Sequence, residues 1–380
     1  MNVTGQINVE LLVQVVVPFI FACIVLCGLV GNLLVIVVFT IYRSLQQSTN
    51  LLVISLACAD LMFLAFCVPF TAFSYAHTSW PFGAKWCYVN TYLQHVSAYA
   101  SVWTLVLLAF DRFLAVVVPI RSLPARTTLN TAGLLTCVWV VVLVGNVHVL
   151  STCGIYRYEF QGQNRSACVL YLGMIDGSAS PSSVRAFFLS FNIAAFAVPL
   201  GVTCVLYVLL IRRLWQGDWH RFSRETIKLK RRVTRLLLMI TVIFALCWLP
   251  LNINFFNKAL SYPESESDDP LLWVFQVFAQ ILAYMNSCLN PLLYGILSDN
   301  FRLGLGNLVQ LMSCRKATHP ISKGSFQADE HNKTARNGSC DSLECLAAAA
   351  DKPTNLMLEV VRSTSRAPLD AAPMIDTLIC

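Results

Sequence analysis

Seven long apolar runs, separated by short polar clusters, dominate the chain. They cover Leu11–Tyr42, Thr49 to about Tyr75, Trp86–Phe110, a stretch within Thr127–Tyr156, Ala186–Ile211, Leu236–Asn257 and Pro270–Ser298. Each run can cross the hydrocarbon core of a bilayer as a helix, which takes about 20 residues. A closed β-barrel would use much shorter segments of alternating character. The pattern predicts an all-α membrane protein, a bundle of seven transmembrane helices over residues 11–298, called spans 1 to 7 below.

The pattern changes after span 7. From Asp299 onward, apolar residues recur at helical spacing, at Phe301, Leu305, Leu308, Val309 and Met312. This spacing predicts a short amphipathic eighth helix over residues 299–314, lying on the membrane surface. Cys314 is a candidate for palmitoylation there, and a free cytosolic thiol is the alternative. Residues 315–380 lack a sustained helical period and are rich in Ser, Thr and charged residues, so we predict a disordered tail.

Composition and charge support this organisation and orient the chain. Hydrophobic residues make up 57% of the 380 positions and charged residues 12%, whereas soluble domains carry roughly 25% charged residues. The loops after spans 1, 3 and 5 hold thirteen Lys and Arg, against five in residues 1–10 and the loops after spans 2, 4 and 6. By the positive-inside rule, residues 1–10 are extracellular and the tail is cytoplasmic. We therefore expect a multi-pass protein of the plasma membrane.

Most of the fifteen cysteines lie in apolar runs or in the tail, and no zinc spacing is present. Three fall in loops of the predicted exterior, which leaves one disulfide and one free thiol among Cys87, Cys153 and Cys168. Two glycosylation sequons also lie outside, at Asn2 and Asn164. The sequons at Asn332 and Asn337 fall in the predicted cytoplasmic tail, and we expect them to remain unmodified.

Asp60 is an acid in the middle of span 2. A charge inside the membrane is costly, so such residues are usually functional. One interpretation is a structural acid that is hydrogen-bonded to its neighbours. The other is a site for a small cation, and it is favoured by polar residues at comparable depth on other spans, namely Asn32, Ser101, Asn286 and Asn290. Sodium is the only bound ion that we expect, and the sequence indicates no cofactor.

Asp111 and Arg112 are placed at the end of span 3. They could form a breakable ion pair suited to a two-state switch, or Arg112 could simply extend to the membrane interface. Prolines inside spans 5, 6 and 7 predict kinks at Pro199, Pro250 and Pro291. The kinks in spans 6 and 7 lie beside the aromatic residues Trp248 and Tyr294, which makes them plausible hinges.

A basic helical face precedes span 6. Its members are spaced three or four residues apart, at Lys228, Arg231, Arg232 and Arg235. Such a face can set membrane topology and attract anionic lipid. It can also be a docking surface for a cytoplasmic protein, and the two roles can coexist.

These features together resemble the rhodopsin-like G-protein-coupled receptors over roughly residues 13–314. The resemblance rests on Gly31-Asn32, Leu56-Ala57-Cys58-Ala59-Asp60, Asp111-Arg112-Phe113, Trp139, Pro199, Tyr207, Cys247-Trp248-Leu249-Pro250 and Asn290-Pro291-Leu292-Leu293-Tyr294. It implies a disulfide between Cys87 and Cys168, which leaves Cys153 free.

Within that family the chain is similar to the peptide receptors of the allatostatin-A and galanin group. The carriers are Ser48-Thr49-Asn50-Leu51-Leu52, Cys67-Val68-Pro69-Phe70-Thr71-Ala72, Trp80-Pro81-Phe82-Gly83, the run 100–107 and Leu297-Ser298-Asp299-Asn300-Phe301-Arg302. In having Phe at position 113, the chain is similar to the arthropod allatostatin receptors rather than to the vertebrate galanin receptors. The resemblance therefore implies an allatostatin-A-type amidated neuropeptide as ligand, with a galanin-type or other peptide as the alternative.

The resemblance also implies a mechanism. The peptide would enter between the exterior ends of spans 3, 5, 6 and 7, and span 6 would swing outward to admit a heterotrimeric G protein, of the inhibitory class at family level. Arg112 would contact the G protein, Trp248 would be a packing toggle, and Tyr207, Asn290 and Tyr294 would be switch residues. Asp60 would hold sodium in the inactive state. The residues expected to line the peptide pocket are chosen by their depth in the spans and by analogy with the family. They are Gln94, His95, His148, Phe191, Asn252, Phe255, Phe275 and Gln280. The tail would recruit arrestin and a receptor kinase.

Other functions lack their required residues. An amine receptor of this fold needs an acid where the chain has Gln94, and a retinal protein needs a lysine in span 7, where residues 270–298 have none. A transporter or channel remains the alternative from another class, but no inverted repeat is evident. No nucleophile, base or cofactor motif points to an enzyme, and nothing points to nucleic acid.

Overall fold

The computed structural model describes residues 3–41, 48–160, 162–216, 224–262 and 270–317. The predictions for Asn2, Asn332, Asn337 and the tail beyond residue 317 lie outside the described residues, and so does any phosphorylation site for arrestin recruitment there. The side chain of Cys314 is likewise outside the description, so its palmitoylation stays a prediction.

Within these ranges the chain forms helices, one π-helical turn and a β-hairpin. The helices are α1 (Val3–Ile41), α2 (Ser48–Phe66), α3 (Val68–Ala76), α4 (Gly83–Val117), α5 (Thr128–Gly145), α6 (Val149–Thr152), α7 (Leu172–Ile175), α8 (Pro181–Phe191), α9 (Val198–Gln216), α10 (Arg224–Ser261), α11 (Pro270–Leu297) and α12 (Asp299–Ala317). Seven of the resulting spans are long and apolar enough to cross a membrane, which confirms the predicted bundle. They are α1, α2 with α3, α4, α5 with α6, α8 with α9, α10 and α11.

Helix ends extend beyond the apolar runs. Helix α4 continues to Val117, so Asp111 and Arg112 lie inside the helix rather than at its end as predicted. Helix α10 begins at Arg224, well before the apolar run, and α1 begins at Val3. Helix α12 continues to Ala317, past the predicted boundary at Cys314. Adding a residue to an existing helix gains one hydrogen bond, so helices continue into polar sequence until something stops them.

Two spans have local irregularities. Span 2 breaks at Cys67, because Pro69 in the first turn of α3 has no N–H to donate to the preceding turn. The continuous apolar run of span 2 gives no indication of this break. In span 5, residues Asn192–Ala197 form a π-helical turn between α8 and α9, immediately before Pro199.

A β-hairpin joins spans 4 and 5 and is an addition to the predicted all-α architecture. Strand β1 (Gly154–Phe160) pairs antiparallel with β2 (Gln163–Val169), with Gly154 opposite Val169. Gly162 lies in the turn at φ +74°, a conformation that glycine adopts without steric cost. The hairpin is a loop structure outside the membrane spans.

Spans 1, 2 and 7 pack closely. A Cβ atom at Gly31 would lie 2.8 Å from Cβ and 2.9 Å from Cγ of Pro291. Small residues allow membrane helices to approach in this way, because packing rather than the hydrophobic effect drives their association. Phe21, Leu64 and Tyr284 form part of the same buried cluster. This packing fixes the positions of span 2, which carries Asp60, and of span 7, which carries Asn290. Span 1 packs against both.

Candidate functional site

The start of span 3 is tied to the hairpin. Cys87 and Cys168 form a disulfide, with Cα atoms 5.6 Å apart, as the family resemblance implied. The third loop cysteine, Cys153, is free and buried, and burial raises the pKa of its thiol, which keeps it protonated and poorly reactive. The backbone N–H of Ser166 in β2 donates to the carbonyl of Thr78 at 3.2 Å. We call this end of the bundle the disulfide end.

An aromatic cluster lies between spans 3, 5 and 6 and is centred on Phe191. Its ring centroid is 5.4 Å from that of His95 and 5.6 Å from that of Tyr99. On span 6, Phe255 lies at 5.3 Å and Trp248 at 6.4 Å. The Nε2 atom of His95 and the Nε1 atom of Trp248 are buried and have no hydrogen-bond partner within the described ranges. The cluster is therefore an apolar surface with two polar atoms available to a ligand or to water.

A continuous chain of hydrogen bonds links spans 2, 3 and 7. The hydroxyl of Tyr75 donates to Oε1 of Gln280 at 2.6 Å, and Nε2 of Gln280 donates to the hydroxyl of Tyr284 at 2.8 Å. The Tyr284 hydroxyl lies 3.3 Å from that of Thr71, which accepts from Nε2 of Gln94 at 3.3 Å. None of the five side chains carries a charge. We call these five residues the polar chain.

The eight predicted pocket residues divide among these features. His95, Phe191 and Phe255 belong to the aromatic cluster, and Gln94 and Gln280 belong to the polar chain. Asn252 is buried, donating to the carbonyl of Trp248 at 2.9 Å, and its Oδ1 has no partner within the described ranges. Phe275 is partly buried. His148 is exposed and reaches the cluster only at its edge, with its ring 5.9 Å from Phe187.

Asp60 is fully buried between spans 2 and 7. Its Oδ2 accepts from Nδ2 of Asn290 at 2.8 Å, and the hydroxyls of Ser101 and Ser287 face the same carboxylate. In the described part of the chain, Oδ1 of Asp60 and Oδ1 of Asn286 are buried without a hydrogen-bond partner. Unpaired buried oxygens of this kind fit a small cation or water. The other residue predicted here, Asn32, donates instead to the carbonyls of Gly28 and Ser287.

Asp111 is the centre of a charged cluster at the opposite end of span 3, which we call the Asp111 end. Its carboxylate pairs with Nη2 of Arg112 at 3.0 Å and with Nε of Arg126 at 2.9 Å. It also accepts from the hydroxyls of Thr49 at 2.7 Å and Ser48 at 3.3 Å. Arg112 is therefore held by an acid that it shares with a second arginine. The predicted Asp111–Arg112 pair is present, and Arg126 is an additional partner.

The remaining predicted switch residues lie deep in the bundle. Tyr207 and Tyr294 are buried, and the Tyr294 hydroxyl has no hydrogen-bond partner among the residues described. The ring of Tyr294 lies 6.4 Å from those of Phe39 and Phe301. Pro250 and Pro291 are inside their helices, as predicted.

Several residues of these features were missed in the sequence analysis as site residues. Tyr284 lies four residues after Gln280, so helical spacing could have placed the two on one face. Ser287 lies three residues before Asn290, and the same argument applies. No sequence signal identifies Arg126, because it lies in a loop and its partner is fifteen residues away.

Comparisons with known proteins agree with this architecture. The family described as 7 transmembrane receptor (rhodopsin family) matches residues 31–294. The galanin-like G-protein coupled receptor npr-9 of Caenorhabditis elegans is 40% identical over 342 residues, covering 84% of this chain and 78% of that protein. The allatostatin-A receptor of Bombyx mori is 39% identical over 344 residues, 88% of this chain and 91% of that protein. Galanin receptor 2a of Danio rerio is 31% identical over 311 residues, which cover 80% of this chain and 82% of that protein.

Proposed function

The chain belongs to the rhodopsin family of seven-transmembrane receptors, and from that premise we propose that its ligand is an allatostatin-A-type neuropeptide with an amidated carboxyl terminus. Its similarity to galanin-like and allatostatin-A receptors makes it a peptide receptor of the plasma membrane, partnered by a G protein, and not an enzyme. The proposal concerns the identity of the peptide, the class of the G protein and the orientation of the chain in the membrane.

The observation that carries the ligand assignment is the polar chain beside the aromatic cluster. Trp248 packs against both the cluster around Phe191 and the cluster containing Tyr284. A peptide end that enters here meets rings on one side and neutral donors and acceptors on the other. A neutral primary amide can pair with a glutamine side chain as both donor and acceptor. A free carboxylate would be buried beside these five neutral side chains, which is costly.

Signal transfer would run along spans 6 and 3. Peptide contacts at Phe191 would favour one packing of Trp248, and the kink at Pro250 would let the other half of span 6 move outward. Arg112 would then leave Asp111 and contact a heterotrimeric G protein of the inhibitory class. Tyr207, Asn290 and Tyr294 would rearrange in the same step.

The proposed orientation puts the disulfide end outside the cell. The distribution of Lys and Arg supports it, and so does a disulfide at that end, because disulfides persist in oxidising surroundings. Asn164 is exposed in β2, where a glycan could be attached. Asp60 would hold sodium with the side chains around it and thereby favour the inactive state. Lipid attachment at Cys314, and arrestin and receptor kinase on the tail, complete the proposal.

A galanin-type ligand is the second candidate, because two of the relatives reported above are named as galanin or galanin-like receptors. The two candidates differ in the peptide that would activate the receptor, so applying each peptide separately distinguishes them.

The test is G-protein activation in cultured cells that express the full chain. We expect a response to short peptides ending in Phe-Gly-Leu-amide, and none to galanin or to the same peptides as free acids. Arg112→Ala should abolish the response without loss of surface expression. A response to galanin alone would replace the ligand assignment and keep the mechanism. No response to any peptide, with protein at the surface, would refute the ligand assignment.

A matched pair of variants tests the polar chain. Tyr75→Phe removes the hydroxyl that donates to Gln280, whereas Tyr88→Phe makes the same change at an exposed position of span 3. A hydrogen bond is worth about 0.5–1.5 kcal/mol, so Tyr75→Phe should weaken peptide potency by roughly two- to tenfold. An unchanged potency, or an equal loss in Tyr88→Phe, would contradict a role for this chain.

A further inference from the structure

Two polar atoms of span 3 are buried and unpaired. They are Nε1 of Trp86 and Oδ1 of Asn90, and neither has a hydrogen-bond partner within the described ranges. Asn90 is only 4% exposed. Since nearly all buried polar atoms in folded proteins are hydrogen-bonded, two unpaired atoms on adjacent turns of one helix indicate a missing partner. We call Trp86 and Asn90 the span 3 pair.

The span 3 pair faces span 2. The ring of Phe70 is 4.8 Å from that of Trp86, and the thiol of Cys67 donates to the backbone carbonyl of Asn90 at 3.8 Å. Residues four apart lie on one helix face, with Cβ atoms roughly 5–6 Å apart. The side chains of a helix also lean toward its N-terminus, so that of Asn90 leans toward the turn of Trp86. One segment of a ligand can therefore reach both atoms.

The pair extends the polar chain toward the disulfide end. Gln94 follows Asn90 by four residues on the same face of α4, and its Nε2 donates to the hydroxyl of Thr71 at 3.3 Å. Trp86 adjoins the disulfide-bonded Cys87. Each step of four residues along α4 covers about 6 Å. A column of polar side chains therefore leads from the disulfide end, down span 3, to the polar chain.

The two atoms have complementary roles that match the main chain of an extended peptide. The indole N–H of Trp86 can only donate, and Oδ1 of Asn90 can only accept. An extended peptide presents the N–H and C=O groups of every second residue on one side, with a repeat of about 6.6 Å, close to the step along α4. When the carboxyl end of the peptide lies at Gln94, a carbonyl meets Trp86 and the next N–H on that side meets Asn90. A hydroxyl group also offers a donor and an acceptor, but it does not continue along the column to Gln94.

Aromatic rings pack beside the pair and reach the surface at Phe82. The ring of Phe82 is 5.0 Å from that of Phe70 and 5.1 Å from that of Trp80. Phe82 is 38% exposed, and exposed side chains change rotamer within nanoseconds. We expect a peptide arriving at the disulfide end to displace this ring on its way to Trp86.

We infer that the span 3 pair binds the main chain of the peptide ligand just before its amidated end, in a subsite between spans 2 and 3. Asn90 accepts at Oδ1 from the N–H of the Phe in the Phe-Gly-Leu-amide ending, and Trp86 donates from Nε1 to the carbonyl two residues before that Phe. The inference rests on the proposed peptide ligand and deepens it. It fixes the direction and the register in which the peptide lies along span 3.

The test combines changes in the peptide with changes in the receptor and measures binding affinity in cell membranes by displacement of a labelled peptide. The parent peptide ends in Phe-Gly-Leu-amide and has further residues before the Phe. One analogue replaces the N–H of the Phe with an ester oxygen. The control analogue makes the same replacement at the Gly, whose N–H points to the other side of an extended chain. The receptor variant is Asn90→Ala, and the matched control is Asn146→Ala, which changes an equally buried asparagine at the end of span 4.

We expect the ester at the Phe to weaken binding to the unchanged receptor by roughly two- to tenfold, the value of one hydrogen bond. It should cause no further loss in Asn90→Ala, because the acceptor is already gone. In Asn146→Ala the same ester should cause the full loss. The ester at the Gly should have equal effects in all three receptors.

A second variant keeps the inference testable if Asn90→Ala does not reach the cell surface. Trp86→Phe keeps an aromatic ring and removes the N–H, so it should weaken binding of the parent peptide by roughly two- to tenfold. Trp215→Phe makes the same change at a position that is 84% exposed near the other end of the bundle, and it should bind normally.

Equal losses from the Phe ester in the unchanged receptor and in Asn90→Ala would overturn the inference, and so would normal binding by Trp86→Phe. Coupling of Asn90 to the Gly ester instead of the Phe ester would overturn the stated register. If the parent peptide does not bind the unchanged receptor at the surface, the peptide assignment and the subsite are both refuted. Normal binding without coupling refutes the subsite alone.

Discussion

Replacing Arg126 with alanine is expected to make the receptor harder to activate. In the structure Arg126 and Arg112 share the carboxylate of Asp111, at 2.9 Å and 3.0 Å. The two guanidinium groups repel each other while both remain there, and the repulsion falls when Arg112 departs. Removing Arg126 leaves Asp111 to Arg112 alone, so the inactive arrangement gains stability relative to the active one.

The distances set the size of the effect. Nη2 of Arg112 and Nη2 of Arg126 lie 3.0 Å and 3.5 Å from the same oxygen, so they are at most about 6.5 Å apart. Two unit charges at that distance repel by about 2.5 kcal/mol at an effective dielectric constant of 20. The side chains are 13% and 19% exposed, so salt and water screen part of this. With about 1 kcal/mol left, the expected shift in the activation equilibrium is roughly fivefold.

The assay is a peptide dose–response curve for G-protein activation, corrected for surface expression. Arg126→Ala should raise the half-maximal concentration by roughly fivefold and lower agonist-free signalling. Arg126→Lys keeps the charge and should retain most of the unchanged behaviour. Arg121→Ala, at an exposed position in the same loop, is the control and should have no effect. Higher agonist-free signalling in Arg126→Ala would refute the reasoning, since it would mean that Arg126 restrains the receptor through Asp111.

Three further predictions follow from other parts of the structure. Asp60→Asn should abolish the effect of sodium on agonist binding, measured by replacing sodium with choline; a sodium effect that persists would contradict a cation site there. Gly31→Ala should destabilise the receptor by about 1–3 kcal/mol through overpacking, which would appear as a lower melting temperature. Gly133 faces open space, so Gly133→Ala is the control and should leave the melting temperature unchanged. Cys168→Ser opens a disulfide loop of 81 residues and should cost about 2–5 kcal/mol of stability. Cys153→Ser changes a buried thiol that is not bonded and should cost less; the opposite order would show that Cys153 is the bonded cysteine.

The number and order of the spans could be predicted from the sequence because the membrane imposes one length and one polarity on every crossing. The ends of the helices could not be predicted, because the apolar pattern does not show how far a helix extends beyond the membrane. Span 3 illustrates this: its apolar run stops at Phe110, yet the helix continues to Val117. The break at Cys67 was missed for a different reason. A proline can either kink or break a helix, so Pro69 alone does not show that span 2 is interrupted there.

The candidate site was predicted unevenly. Asp60 and Asn290 were identified because a charge or amide at membrane depth is conspicuous in any sequence. The polar chain depends on contacts between three spans, and the relative rotation of those spans is not encoded in any one of them. Arg126 shows the limit most clearly, since a loop arginine looks like a topology signal until its distance to Asp111 is known.

The π-helical turn at Asn192–Ala197 also decides which side chains span 5 presents to the interior. Phe191 and Tyr207 are both buried although sixteen positions separate them, a spacing that places two residues on nearly opposite sides of an ideal α-helix, at about 100° per residue. A turn that accommodates one additional residue offsets the rotation by about that amount and brings the two to the same half of the helix. A relative that lacked this residue would keep seven spans and nearly the same sequence. It would nevertheless offer its ligand a different set of span 5 side chains, so alignments used to transfer binding residues between such receptors require a one-residue gap at this turn.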